Sequence, residues 1–225
     1  NLIEQLPALR AIVCFGVGTD AVDLKAASAR GIQVSNTPDV LNDCVADAAM
    51  ALLLAVARQV VVADRFVRAG RWGAERFGLT TALGGKRCGI LGMGPIGQAI
   101  ARRASAIGMQ VRYSRGDMDK QAAFWLEALG ANGMLVNVAR GSVVDQPALI
   151  EALSNGRIAG AALDVFADEP HVPAALRELD TVVLSPHVAS GTQETRQAMA
   201  DRVLANLAAL FATGRVLHPV REGAQ

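Results

Sequence analysis

The fold is decided by the stretch Cys88-Gly89-Ile90-Leu91-Gly92-Met93-Gly94-Pro95-Ile96-Gly97. Its apolar beginning, 88–91, predicts a short buried strand, and the Ala-rich run from Ile96 to Ile107 predicts a helix. Three glycines with the spacing Gly-x-Gly-x-x-Gly join the two elements. A strand that enters a helix through so tight a turn is typical of an α/β domain with a parallel sheet.

Each glycine of this turn has a physical role in holding a dinucleotide. Gly92 permits the tight turn, Gly94 lets a pyrophosphate approach the backbone, and Gly97 lets the helix pack closely on the strand. The free N–H groups and the positive dipole end of the helix then stabilise the phosphate charge. The alternative is a plain strand-turn-helix without a ligand, since glycine is common here, at 22 of 225 residues.

The end of the next predicted strand bears on which dinucleotide is bound. NAD-binding units usually place an Asp or Glu there for the ribose 2′-hydroxyl. This chain has Tyr113-Ser114-Arg115 instead, with no acidic residue before Asp117. A hydroxyl and a guanidinium would bind a 2′-phosphate that a carboxylate would repel. Ser114 and Arg115 therefore predict NADP(H), while NAD(H) stays possible if Arg115 is only a solvated surface charge.

Composition limits the classes of partner. Hydrophobic residues make up 52% of the chain and charged residues 19%, and the formal net charge is +1. These values indicate a globular protein and give no reason to expect a nucleic-acid or membrane partner. The longest apolar run, 48–57, is about half the length that crosses a bilayer. Three scattered cysteines predict reduced thiols and a cytoplasmic protein.

Strands and helices alternate along the chain, which predicts two doubly wound, Rossmann-like parallel-sheet domains with a cleft between them. The predicted parts are a partial substrate-binding domain over 1–70, a connection over 71–85, a nucleotide-binding domain over 86–190, and a C-terminal helix and tail over 191–225 that returns to the first domain.

A long helix is predicted over 43–69, and it is apolar on nearly every face from Val45 to Val56. Such a helix must be buried all round. It is either a core helix or the contact surface of a homodimer, and the pattern favours neither.

Three polar residues follow predicted strands of the second domain. Arg140 comes after the run 135–139, Glu169 lies in the loop after 161–166, and His187 follows 182–186. In open α/β sheets ligands bind outside the carboxyl ends of the strands, so all three are expected beside the cofactor. Singly, each could be a surface or packing residue. No metal ion is predicted at the site.

The chain resembles the D-isomer-specific 2-hydroxyacid dehydrogenases, and among them the glyoxylate/hydroxypyruvate reductases. The matching segments occur in the family's order, and they are Gly16-Val17-Gly18-Thr19-Asp20, Thr37-Pro38-Asp39-Val40-Leu41, the glycine turn, Asn137-Val138-Ala139-Arg140-Gly141, Leu163-Asp164-Val165-Phe166 with Glu169-Pro170, and Ser185-Pro186-His187.

The resemblance implies reduction of a small 2-oxo acid to the D-2-hydroxy acid. His187 would donate the proton, Glu169 would orient its ring, and Arg140 would hold the substrate carboxylate. Backbone N–H groups around Val17 and Gly18 would bind that carboxylate from the other domain. The predicted cofactor-binding set beyond the turn glycines, Ser114 and Arg115 consists of Pro95, Ile96, Val138, Ala139, Asp164 and Gly191, with Asp164 on the nicotinamide carboxamide.

The substrate stays open at this stage. A larger 2-oxo acid, such as 2-ketogluconate or an aryl pyruvate, is one alternative to glyoxylate and hydroxypyruvate. A dinucleotide-sensing binding protein similar to the family's transcriptional corepressors is another.

Two departures from the family are expected to matter. The family's substrate domain begins with a further strand-helix portion ahead of Asn1. In addition, the short stretch between Arg115 and Leu135 contains no run that predicts the strand which a mononucleotide-binding half needs there. A true deletion would remove part of the cofactor site. We expect instead that residues are missing from the sequence between 116 and 126.

Overall fold

The computed structural model describes residues 2–114 and 122–220, apart from the side chains of 122–125. These residues form an α/β protein. Its helices are α1 (Leu2–Gln5), α2 (Leu24–Ala29), α3 (Asn42–Ala57), α4 (Val60–Arg68), α5 (Pro95–Ala106), α6 (Ala122–Leu129), α7 (Gln146–Ser154), α8 (Ala174–Arg177) and α9 (Gln193–Thr213). Its strands are β1 (Ala11–Val13), β2 (Gln33–Ser35), β3 (Arg87–Leu91), β4 (Gln110–Ser114), β5 (Met134–Asn137), β6 (Gly160–Leu163) and β7 (Val182–Leu184).

The chain divides into two compact units, of which the smaller comprises Asn1–Leu41 and Gly191–Gln225. In it β1 and β2 pair in parallel, with Ile12 opposite Val34. Buried apolar side chains of α1, α2 and β2 form its core. The C-terminal helix α9 belongs to this unit, as the sequence predicts for 191–225.

The larger unit, Asn42–Ser190, contains two parallel ladders. Strands β3 and β4 form one, and β5, β6 and β7 form the other in the order β5-β6-β7. Helix α3 packs against α5 and against all three strands of the second ladder. Its buried Leu52 and Val56 lie on Ala162 of β6, so the helix forms part of the core. Parallel strands covered by helices are the predicted architecture.

The predicted helix 43–69 is wrong as a single helix. Helices α3 and α4 meet at an angle of 60°, and Gln59 between them has left-handed backbone angles, φ 51° and ψ 40°. At this break the carbonyl of Ala57 accepts the N–H of Thr81, which is a tertiary contact. That carbonyl would otherwise accept the N–H of Val61 in a continuous helix.

The boundary between the two units differs from the predicted domain boundary, because helix α3 belongs to the larger unit. The sequence places residues 42–70 in the first domain, whereas packing assigns the larger unit to Asn42–Ser190. In the part of the chain described, no single helix is long and apolar enough to cross a membrane. The bent pair of α3 and α4 meets that criterion only when the two helices are taken together.

Candidate active site

The glycine turn connects β3 to α5 in the larger unit. Gly92 has φ +91°, a left-handed conformation that residues with a side chain rarely adopt. A Cβ added to Gly97 would lie 2.1 Å from the carbonyl oxygen of Gly92, so only glycine fits there. The sequence-based roles of Gly92 and Gly97 in the tight turn and in close helix packing are therefore met by the geometry.

Gly94 differs from its neighbours in the turn. It is the N-cap of α5, and Pro95 takes the first position of the helix, where a missing N–H costs nothing. A Cβ added to Gly94 would meet no atom within 4 Å. The protein therefore leaves open the space beside this backbone, where a dinucleotide pyrophosphate would have to approach the helix N-terminus. The open space beside Gly94, together with the first turn of α5 that contains Ile96, fits such a cofactor.

Ser114, one of the two residues predicted to select the cofactor, lies at the end of β4. Ser114 pairs with Leu91, and its carbonyl accepts the N–H of Gly92, so Ser114 lies beside the glycine turn. The predicted partner of the 2′-phosphate, Arg115, lies outside the described residues, and so do 116–121 of the stretch from which residues are expected to be missing.

His187 and Glu169 form the central pair of the site. Nδ1 of His187 lies 2.7 Å from Oε2 of Glu169, which fixes the ring because a carboxylate can only accept. The His187 side chain is 51% exposed and that of Glu169 is 34% exposed. Because Nδ1 is engaged by Glu169, Nε2 is the ring nitrogen that can exchange a proton with a bound molecule.

The environment of Glu169 favours its charged form. Burial raises the pKa of this carboxyl, but hydrogen bonds from His187 and from the N–H of Phe166 lower it, as do the charges of His187 and Arg140. The net result is a pKa below the ordinary value. Glu169 is therefore a carboxylate near neutral pH, as a group that orients and stabilises an imidazolium must be.

Arg140 is positioned by a turn at the end of β5. Buried Asn137 donates from Nδ2 to the carbonyl of Arg140 at 2.8 Å and accepts the N–H of Ala139 through Oδ1 at 3.0 Å. The following Gly141 lies so close to the backbone of Phe166 that an added Cβ would overlap its carbonyl oxygen. This contact brings the Arg140 loop to the loop of Glu169, and the charge of Arg140 accordingly acts on Glu169.

The loop that carries His187 is held by Asp164, which follows β6. Asp164 is 1% exposed, and its carboxylate accepts the N–H groups of Val188 and Ala189 at 2.9 and 2.8 Å. Its backbone carbonyl accepts the N–H of His187. His187 itself has φ 53°, a left-handed conformation that is uncommon for residues with a side chain.

The predicted substrate loop lies in the smaller unit. Thr37 N–H donates to the carbonyl of Gly16, and Nδ2 of Asn36 donates to that of Val17 at 2.8 Å. These bonds hold the carbonyl oxygens of Gly16 and Val17 toward the segment that follows β2. Substrate binding by Val17 and Gly18 stays a prediction.

The remaining predicted contacts are less defined by the structure. Val138 and Ala139 lie in the turn after β5 in the larger unit, whereas Gly191 begins the C-terminal segment of the smaller one. Their cofactor contacts stay predictions. His171 is 81% exposed and His218 contacts Arg202, in keeping with surface and packing roles. No group of three metal-ligating side chains occurs within 2–114 and 122–220.

Sequence reasoning missed the hydrogen bonds by which Asn137 holds the Arg140 turn and by which Asp164 holds the His187 loop. The available signal was their place, because both polar residues stand at the carboxyl ends of neighbouring strands. A buried polar group must be hydrogen-bonded, and here the partners are the loops that carry Arg140 and His187.

Comparison with known proteins agrees with this geometry. The family model described as D-isomer specific 2-hydroxyacid dehydrogenase, catalytic domain, matches residues 1–221. The chain belongs to the D-isomer-specific 2-hydroxyacid dehydrogenase family. It is thereby an enzyme, and the predicted family, α/β fold and oxidoreductase class are confirmed.

Curated relatives include reductases of different 2-oxo acids. The glyoxylate/hydroxypyruvate reductase A HPR2 of Arabidopsis thaliana is 44% identical over 256 residues, covering 98% of this chain and 81% of that protein. The hydroxyphenylpyruvate reductase of Plectranthus scutellarioides is 42% identical over 253 residues, with the same coverages. Because 98% of this 225-residue chain is about 220 residues, about 36 of the 256 positions matched to the Arabidopsis protein have no counterpart here.

A solved structure with the same fold is the NADPH-dependent glyoxylate/hydroxypyruvate reductase from Sinorhizobium meliloti in complex with NADP and malonate. It is 43% identical, superposes with a TM-score of 0.92, and the match covers 98% of this chain and 80% of that chain. Within this family, then, a protein of this fold binds the cofactor that Ser114 and Arg115 predict.

Proposed function

We propose that this dehydrogenase reduces glyoxylate, hydroxypyruvate or a 2-oxo acid of similar size to the D-2-hydroxy acid, with NADPH as the preferred reductant. The observation that carries the proposal is the 2.7 Å pair of His187 and Glu169 with Arg140 beside it. An oriented imidazole next to a guanidinium suits a substrate that carries both a carboxylate and a carbonyl group.

The glycine turn would hold the cofactor. Its pyrophosphate would lie in the open space beside Gly94 and at the N-terminus of α5. When bound, the nicotinamide supplies the hydride that the carbonyl carbon of the substrate receives. Ser114 and Arg115 would bind the 2′-phosphate, which supports NADPH over NADH.

His187 would supply the proton. In the imidazolium form, Nδ1–H donates to Glu169, so Nε2–H can be donated to the carbonyl oxygen of the substrate as that oxygen becomes negative. The carbonyl oxygen becomes the hydroxyl group of the product, and His187 becomes neutral. The Glu169 carboxylate stabilises the imidazolium before transfer, and it holds the ring in one tautomer afterwards.

Arg140 would bind the substrate carboxylate and polarise the carbonyl. A guanidinium forms two parallel hydrogen bonds to a carboxylate, which fixes the plane of a 2-oxo acid as a single ammonium does not. The buried Asn137 and the tight Gly141 contact determine where this side chain begins, so the orientation of the substrate depends on that turn.

The test is a panel of 2-oxo acids, each assayed with NADPH and with NADH. The proposal expects the highest kcat/KM with glyoxylate or hydroxypyruvate and NADPH. A preference for NADH would refute the role of Ser114 and Arg115. Tight NADPH binding without turnover of any 2-oxo acid would refute the enzyme's proposed reaction.

A reductase of a larger 2-oxo acid is the second candidate. The hydroxyphenylpyruvate reductase of Plectranthus scutellarioides is 42% identical to this chain, close to the 44% of the Arabidopsis glyoxylate/hydroxypyruvate reductase. The same panel separates the two candidates, because a higher kcat/KM for an aryl pyruvate than for hydroxypyruvate would favour the second.

We also propose a homodimer formed through α3 and α4, in place of the single predicted helix. Apolar side chains on these helices are exposed, with Leu54 at 41%, Val60 at 52% and Val67 at 53%. Light scattering after size exclusion tests this. We expect the wild-type protein to be a dimer and the variants Val60→Glu and Val67→Glu to be monomers. A monomeric wild-type protein would refute the proposed dimer.

A further inference from the structure

We infer that the smaller unit holds an oxyanion-binding site, in which Arg202 and His218 together bind a phosphate group. The site is a groove of about 430 Å³ on α9, lined by Val40, Ala198, Asp201, Arg202, Ala205 and His218. All of these residues lie in the smaller unit, and none of them belongs to the candidate active site. The inference therefore does not depend on the proposed reaction.

Buried Asn206 on α9 joins the two parts of the groove. Asn206 is 0% exposed, and its Nδ2 donates to the carbonyl of Arg202, one helical turn earlier, at 2.8 Å. Its Oδ1 accepts the N–H groups of Leu217 and His218, both at 3.0 Å. These bonds fasten the segment that follows α9 to the helix, because a buried amide needs partners for both its oxygen and its nitrogen. The backbone of His218 is therefore fixed beside the turn that carries Arg202.

The imidazole of His218 lies between two hydrogen-bond donors. Nδ1 lies 3.3 Å from Nδ2 of Asn206, and Nε2 lies 2.6 Å from Nη1 of Arg202. The Asn206 amide has a fixed orientation, since its oxygen already accepts two backbone N–H groups. A guanidinium only donates, and a neutral imidazole accepts at one of its nitrogens. One of the two contacts of the ring therefore brings two donors together.

An oxyanion in the groove removes this conflict. Nδ1 of His218 then accepts from Asn206, while Nε2–H and an N–H of Arg202 both donate to oxygens of the anion. Such charge-assisted hydrogen bonds are stronger than neutral ones, and the fork of a guanidinium matches the oxygens of a phosphate. A phosphate group offers three strong acceptor oxygens, which is enough for both side chains.

The rest of the lining suits an organic group attached to the phosphate. Val40, Ala198 and Ala205 supply apolar surface. Oδ1 of Asp201 accepts from Nε2 of Gln197 at 2.8 Å, and its other oxygen can accept from a hydroxyl group of the ligand. Because the charge of Asp201 repels a phosphate placed close to it, the hydroxyl end of the ligand is expected on this side. A phosphate monoester with hydroxyl groups should therefore bind more tightly than inorganic phosphate.

The first test is made on the wild-type protein. NMR signals of the His218 ring nitrogens are followed while sodium phosphate or, in a second series, α-glycerophosphate is added at constant ionic strength. We expect the signals to shift to saturation, with the proton on Nε2. Tighter binding of α-glycerophosphate would identify a monoester as the ligand, and equal affinities would identify free phosphate. Unchanged His218 signals in both series would overturn the inference.

The second test compares the variants Arg202→Met and His218→Gln with the wild type. Each variant removes a charge-assisted hydrogen bond to the anion, so the Kd for α-glycerophosphate should rise about tenfold or more. The readout is the backbone N–H signal of Leu217, which is bonded to Asn206 beside the groove. Wild-type affinity in both variants would overturn the inference.

A matched control is Arg215→Met, which removes an exposed arginine of the same unit and changes the net charge equally. It should leave the Kd for α-glycerophosphate unaltered. Equal weakening by Arg215→Met and Arg202→Met would show a response to net charge alone and would overturn the inference. Failure of the wild-type protein to reduce any 2-oxo acid would refute the proposed reaction and would leave these binding measurements unaffected.

Discussion

The carboxylate of Glu169 joins the imidazole of His187 to the loop of Glu169 itself. Oε2 lies 2.7 Å from Nδ1 of His187, and Oε1 accepts the N–H of Phe166 at 3.0 Å. One oxygen is thus held by the backbone while the other holds the ring. The orientation of His187 depends on a group whose own position is fixed, which is how a proton donor can be aimed before substrate arrives.

Glu169→Gln should reduce catalysis strongly. The amide can still accept from Nδ1–H of His187 or from Phe166, but it lacks the charge that stabilises the imidazolium. We expect kcat/KM for hydroxypyruvate to fall about 100-fold, with NADPH affinity unchanged. Glu178→Gln, an exposed change in the same unit, is the control. Equal activity of Glu169→Gln and wild type would refute the pair's role.

The pKa of Glu169 gives a stability prediction with a definite sign. Since the folded-state pKa lies below the ordinary value of 4.5, the carboxylate is favoured in the folded protein. Its contribution is present above pH 4.5 and is lost as pH falls through the lowered pKa.

The measurement is urea unfolding of wild type and Glu169→Gln across a pH series. Their difference in unfolding free energy should be constant near neutral pH and should shrink in acid below pH 4.5. A difference that grows in acid, or that is lost already near neutral pH, would contradict the prediction.

Two glycines of the turn should respond differently to alanine. Gly94→Ala adds a methyl group where no protein atom lies within 4 Å, so folding stability should change little while NADPH affinity falls more than about tenfold. Gly97→Ala places Cβ 2.1 Å from the Gly92 oxygen, so it should lower both folding stability and NADPH affinity. Gly78→Ala, also open, is the control. Normal NADPH binding by Gly94→Ala would exclude this turn as the pyrophosphate site.

Asn137→Ala should act on substrate binding through Arg140. It removes two hydrogen bonds of the Asn137 side chain, to the N–H of Ala139 and to the carbonyl of Arg140, each worth about 0.5–1.5 kcal/mol of stability. With the Arg140 turn loosened, the KM for hydroxypyruvate should rise about tenfold. Exposed Asn155→Ala serves for comparison. An unchanged KM at the expected loss of stability would show that Asn137 is structural only.

Arg115→Ala tests the choice of cofactor. Loss of a charge-assisted hydrogen bond is worth about 1.5–3 kcal/mol, so the ratio of kcat/KM with NADPH to that with NADH should fall about 10- to 100-fold. Arg112→Ala changes an exposed arginine of β4 and should leave the ratio unaltered. A ratio unaffected by Arg115→Ala would mean that the guanidinium does not bind the 2′-phosphate.

Most of the fold follows from local pattern. Strand β7 occupies 182–184 as the apolar run predicts, and α7 begins at the Asp145 cap before Pro147. The polar residues predicted at strand ends, Arg140, Glu169 and His187, do lie in one unit with linked loops. Hydrophobic period and composition are sufficient to predict these elements, because the apolar positions within each segment indicate which of its faces is buried.

What the sequence did not predict depends on long-range contacts. Helix α3 ends at Ala57, and the carbonyl of Ala57 accepts the N–H of Thr81, which lies 24 residues later. The same is true of Asp164, whose partners lie 24 and 25 residues away. No local propensity encodes such bonds.

The described strands of the larger unit form two ladders. In the part of the chain described, the β3–β4 ladder and the β5–β7 ladder are not hydrogen-bonded to each other. The missing residues between 116 and 126 stay a prediction.

The most direct test is the product that the protein makes from hydroxypyruvate and NADPH. The account predicts consumption of NADPH with formation of one D-glycerate for each NADPH oxidised, and loss of that activity in Glu169→Gln. Formation of L-glycerate, or no consumption of NADPH with either hydroxypyruvate or glyoxylate, would contradict it.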